Sequence, residues 1–138
     1  MQVEKISFNR TDYAIVLRKG LHVEKSIFFT KPGNPMQLGV IKHEAGYIGK
    51  PHIHKKPKVF PDIQEVLHII KGIAAIDFFD NNGKKMEETT LKKGDTILLM
   101  FGGHAIRVLE DLECLAVKQG PYAGIEEDKI SLKEGERK

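Results

Sequence analysis

His52 and His54 stand two residues apart in the segment HIH. On an extended strand successive side chains alternate faces, so residues two apart project the same way. Two imidazoles on one face are half of a metal site, because divalent transition metals favour neutral imidazole plus carboxylate, with positions left open for water or substrate. A lone H-x-H pair is a short motif in a chain with 6 histidines, so its weight comes from its surroundings. Gly46 lies upstream, and Glu65 and Gly72 lie downstream. Further on, Gly94-Asp95-Thr96 leads through an apolar run to Gly102-Gly103-His104.

Taken in order, GYIGKPHIH, EVLHIIKG and GDTILLMFGGH resemble the two motifs of the cupin superfamily, the first at about 46–72 and the second at about 94–108. The resemblance extends from about Leu38 to Val117. It implies a double-stranded β-helix, a jelly-roll barrel that is usually dimeric. It also implies a single divalent transition-metal ion held inside the barrel by His52, His54, Glu65 and His104. This chain departs from the pattern in two places. Ten residues (KKPKVFPDIQ) separate His54 from Glu65, where three or four are usual, and Lys58 at the usual spacing is an ammonium that cannot ligate. Glu65 keeps its spacing to the closing Gly72, so the resemblance carries a lengthened loop, and Pro57 and Pro61 suit a loop. Asp62 is the rival carboxylate, placed among turn residues and without a motif partner. The second motif is one residue short before His104, has Met100 where proline is usual, and lacks the closing Asn.

Three histidines and one glutamate leave two positions open on an octahedral ion, enough for a chelating small molecule. The chemistry expected is that of a metal-dependent isomerase or epimerase, or of an oxygenase, acting on a sugar or an oxo-acid. Fe, Mn, Ni, Zn and Cu are not distinguished by this donor set. The rival class is a non-catalytic cupin that binds a sugar or carboxylate. No nucleophile motif and no phosphate-cradling glycine loop competes. Tyr47, Arg107, Lys118, Gln119 and Tyr122 are candidates for the rim of a ligand pocket, the cations being suited to an anionic ligand. The segment KQGPY resembles small cupins associated with surface-sugar metabolism. His68, three residues after Glu65, falls on the opposite strand face, and His43 and His22 read as surface residues.

The elements that must position these residues are short and β-rich. Runs at Ser26–Thr30, Leu38–His43, Glu65–Ile70, Ile73–Asp80, Met86–Leu91, Asp95–Phe101, His104–Glu110 and Glu113–Gln119 are separated by turn residues. Asn82-Gly83 marks a hairpin, because both residues accept positive φ. About ten such strands predict an all-β sandwich, jelly roll or barrel. The long segment Lys55–Gln64 reads as a lid or interface loop.

One domain, 1–138, holds all of this, ending in a charged tail at about 126–138. The chain has 138 residues, 41% of them hydrophobic, which is enough for a core without disulfides. The single Cys114, in an apolar run, reads as a buried thiol in a reducing compartment. The polar N-terminal segment and the shortness of every apolar run predict a soluble, cytoplasmic protein with no membrane partner. The net charge is +3, but opposite charges are interspersed, only HIHKKPK forms a linear basic cluster, and there is no Trp. Nucleic acid is therefore not an expected partner, whereas a small-molecule ligand and a second copy of the chain are. A dimer would help to bury Ile27, Phe28 and Phe29.

Overall fold

The computed structural model describes residues 2–52, 54, 63–119 and 132. Among them every regular element is a strand, in the order β1 (Val3–Phe8), β2 (Thr11–Leu17), β3 (Ile27–Phe28), β4 (Gly39–Val40), β5 (Glu65–Phe79), β6 (Lys85–Lys92), β7 (Thr96–Leu99) and β8 (Gly103–Lys118). The all-β class expected from the sequence is observed, as a curled, barrel-like antiparallel sheet. No helix among the described residues is long and apolar enough to cross a membrane.

The first hairpin precedes every strand expected from the sequence. Asn9 and Arg10 connect β1 to β2 and both carry positive φ, 47° and 62°, as a tight two-residue hairpin of matching twist requires. Arginine gives no turn signal there, and so the hairpin is illegible from residue types. Yet Tyr13 to Leu17 of β2 are all buried, and β2 lies between β1 and β7. By contrast, the strand pair expected at Ser26–Thr30 and Leu38–His43 shrinks to two residues on each side, Ile27–Phe28 and Gly39–Val40.

β5 and β8 form the spine. Two strands were expected on each side, with breaks at Lys71-Gly72 and at Asp111. The structure instead has one strand of 15 residues paired along its length with one of 16. The break residues are retained as a bend, with the register shifting between Ile69 and Ala74. Gly72 has φ 91°, and a Cβ on it would lie 2.1 Å from the Asp111 carbonyl oxygen, so only glycine lets the two strands cross so closely here. On its other edge β5 changes partner across the bend: Glu65–His68 pair with β7, and Ile73–Phe79 pair with β6.

The extra residue at the bend also changes which positions face inward. Leu67 and Ile69 before it, and Ile76 and Phe78 after it, belong to one core with Tyr13, Ala14, Val16, Leu91, Ile97 and Leu99. Period-two alternation therefore holds within each half of β5 but not across the two. Tyr13 meets Phe78 and Phe101 edge-on, at ring-centroid separations of 6.5 and 5.4 Å. Cys114, half-buried, packs against the rim of this core.

The β5–β6 hairpin falls where the Asn-Gly signal put it, with a different internal logic. Gly83 alone takes positive φ, and the Asp80 carboxylate caps the loop by accepting from the Asn82 and Lys84 amides at 2.9 and 3.0 Å.

Candidate functional site

Glu65 opens β5 and shares the face of Leu67 and Ile69, so its carboxylate is carried by the core-facing side of the sheet. His104 is the second residue of β8 and stands opposite Phe78, on the core-facing side of the other half of the spine. The curl of the spine brings these distant ends together, with His104 Nε2 4.0 Å from Glu65 Oε1. Their side chains are 37% and 27% exposed, which leaves the pair open to a small ligand. His68 takes the opposite face, as alternation predicts, and its Nδ1 lies 2.8 Å from the Thr96 hydroxyl.

The backbone beneath Glu65 is fixed by amide side chains that residue types alone do not mark as functional. Gln64 is buried, and its side chain forms a reciprocal pair with Asn34, at 2.7 and 2.9 Å. Its backbone N–H donates to Gln119 Oε1 at 2.8 Å, tying the start of β5 to the end of β8. Gln119 Nε2 is a buried donor with no hydrogen-bond partner among the described residues. The reciprocal amides explain why Gln64, expected within a lid-like loop, is instead part of the packed framework.

His52 and His54 are placed differently. Both are exposed and lie outside any strand, so the strand geometry expected to align them is not what holds them. Their rings nevertheless stand 5.0 Å apart and nearly perpendicular, at 79°. His52 Nδ1 is 3.0 Å from the Lys50 carbonyl oxygen. A carbonyl only accepts, so Nδ1 is the donor in this contact and Nε2 is the nitrogen left for a metal, the arrangement typical of metal-binding histidines. Among the described residues no three of His, Cys, Asp and Glu gather into one cluster, and the two pairs remain separate. Asp62 and most of the intervening loop, residues 55–62, lie outside the described residues, as does Tyr122.

Two of the rim candidates have other partners. Arg107 stands opposite Ala75, on the face away from the core cluster, and donates to both oxygens of Asp77, at 2.7 and 2.9 Å, and to Glu88 at 2.6 Å. Asp77 is wholly buried and also faces Lys85 Nζ at 3.3 Å. The Arg107 guanidinium holds the Asp77 carboxyl below its ordinary value against the cost of burial, with Lys85 assisting. Arg107 is thus a counter-ion within the sheet. Tyr47 is exposed and stacks on His43, with ring centroids 3.8 Å apart.

No family model, no curated protein and no solved structure is found to match this chain. The geometry therefore has to stand on its own chemistry. A carboxylate and an imidazole on facing ends of one curled sheet, with an imidazole pair on an exposed segment, are donors suited to a divalent transition metal.

Proposed function

We propose that this chain is a cupin-type jelly-roll protein that binds one divalent transition-metal ion through His52, His54, Glu65 and His104 and acts there on a small molecule. The observation that carries the reading is the approach of Glu65 to His104 on the core-facing side of the sheet, at 4.0 Å. Donor atoms about 2.1 Å from a shared ion stand roughly 3 to 4.2 Å apart, and this separation falls within that range. The contact of His52 Nδ1 with the Lys50 carbonyl agrees with ligation through Nε2. The bound ion would supply Lewis-acid or redox chemistry, suited to isomerisation or epimerisation of a sugar or oxo-acid, or to oxygenation. Gln119 Nε2, a buried donor without a partner among the described residues, is suited to an oxygen atom of such a ligand. A second copy of the chain is proposed to cover Ile27 and Phe28, which are 42% and 52% exposed. Light scattering that finds only the 15.6 kDa species would remove that part of the reading.

The test is elemental analysis of the untagged protein, wild type beside His52→Ala/His54→Ala and Glu65→Gln/His104→Ala. Near-stoichiometric metal in the wild type, lost in both double variants, is the expected result. Equal metal content in all three refutes the site. Metal retention by the wild type, with tight binding but no turnover of sugars and oxo-acids, favours a non-catalytic binding protein.

A further inference from the structure

The pairing of β2 with β7 brings two short basic segments together that are far apart in the chain. Leu17 stands opposite Thr96, so Arg18 and Lys19 after β2 meet Lys92 and Lys93 at the β6–β7 turn. Together with Thr90 and Asp95 they line an open recess of about 500 Å³.

The floor of this recess is hydrogen-bonded throughout, with one guanidinium facing two carboxylates, Glu4 and Asp95. Arg18 donates to both oxygens of Glu4, to Asp95, to the Thr89 hydroxyl and to the Thr90 carbonyl oxygen, which uses every N–H of its guanidinium. Asp95 also accepts from the Lys19 and Lys92 amides, at 3.0 and 2.8 Å, and is almost wholly buried. The lysine side chains are in the opposite condition. Lys19, Lys92 and Lys93 have no carboxylate partner among the described residues, although all three border one recess. The Lys19 stem is also positioned, because it lies across Gly94, where a Cβ would come within 2.8 Å of it. Like charges gathered on a fixed floor repel one another, and the cost is relieved when an anion binds among them.

We propose that this recess is a binding site for the phosphate groups of a small anionic ligand, held by Lys19, Lys92 and Lys93 over the Arg18–Asp95 floor. Lysine ammonium groups are compact point charges that accommodate a tetrahedral, multiply charged anion from several sides. Among the described residues no aromatic ring lines the recess, so these residues offer phosphate contacts rather than a stacking platform for a base. The site is separate from Glu65: Gly94 and Asp95 pair with Ile69, four residues farther along β5, or roughly 13 Å at ~3.3 Å per residue.

The test is calorimetric titration of the full chain with inorganic pyrophosphate at physiological ionic strength. One saturable site is expected, with affinity falling about fivefold for each lysine replaced by alanine among Lys19, Lys92 and Lys93. The control Lys31→Ala/Lys84→Ala should bind as the wild type does, and circular dichroism of Lys19→Ala/Lys92→Ala/Lys93→Ala should show the native spectrum. Absence of saturation up to about 10 mM pyrophosphate overturns the proposal, as does undiminished binding by the triple variant. Sulfate binding as tightly as pyrophosphate also overturns it, by showing general ion attraction. A short DNA duplex that binds more tightly than pyrophosphate through the same lysines overturns it in favour of a nucleic-acid surface.

Discussion

Glu65 and His104 sit on strands paired throughout with each other, whereas His52 and His54 sit in exposed, irregular chain. The first pair inherits its geometry from a folded sheet: thirteen register pairs between β5 and β8 fix where each side chain points before any ligand arrives. Among the described residues, the second pair has a ring–ring contact and one carbonyl contact to orient it. The difference teaches where a ligand would contribute to order. At the strand-held pair, binding energy is spent little on organisation; at the exposed pair, binding and ordering would be one event.

The largest break in this contrast comes from removing what supports the strand-held pair. Phe78 stands opposite His104 and is fully buried in the core, so Phe78→Ala is expected to cost about 4 kcal/mol, read by urea denaturation. Unchanged stability would show that the core does not hold His104 in place.

Gly72→Ala attacks the bend itself. The positive φ and the approach to Asp111 predict a loss of about 3 kcal/mol, with the Glu65 and His104 resonances shifted together in NMR spectra. A shift confined to Glu65 would mean that the bend does not couple the ends of the spine.

A smaller effect is expected at Asp77, on the other face. Its folded-state pKa is depressed, chiefly by Arg107, so the unfolded chain binds its proton more readily than the folded one. The stability it contributes is therefore present above the unfolded carboxylate value, near 3.8, and is lost as pH falls through the lower folded value. Asp77→Asn should cost about 2 kcal/mol at neutral pH and flatten the acid limb of the stability profile. An unaltered acid limb would assign it to the other depressed carboxyls, Glu4, held down by its hydrogen bonds from Arg18, and Asp95, whose burial is outweighed by backbone amides and Arg18.

The smallest effect sharpens the comparison directly. With Ni²⁺ or Zn²⁺ at ten times its dissociation constant, the folded state should gain about 1.4 kcal/mol. Hydrogen exchange should then slow at residues 50–54 and change little at 65–69. Equal slowing in both segments would refute the distinction between a strand-held and an exposed half.

Much of the β5–β8 spine was readable from residue types. The β-rich runs on either side of the bend, the position of the Asn-Gly hairpin and the placement of Glu65 and His68 on opposite faces follow from local chemistry, and the structure agrees with each. The bend was misread as two strand breaks, because glycine is a turn former in sequence and a close-contact residue in space. The β1–β2 hairpin was invisible for the converse reason: Asn-Arg adopts positive φ only because the flanking strands pair well enough to hold it there. Arg107 was legible as a cation but not as the partner of Asp77, which comes within reach only through cross-strand pairing.

The all-β class, the Asn-Gly hairpin and the donor types are legible in the sequence, since these depend on each residue and its nearest neighbours. Only the folded sheet brings Glu65 to His104, Arg18 to both Glu4 and Asp95, and Lys19 to Lys92 and Lys93. Those juxtapositions depend on strand register and sheet curl, set by core packing and by a bend that only Gly72 permits. They arise between residues with no local relation to one another.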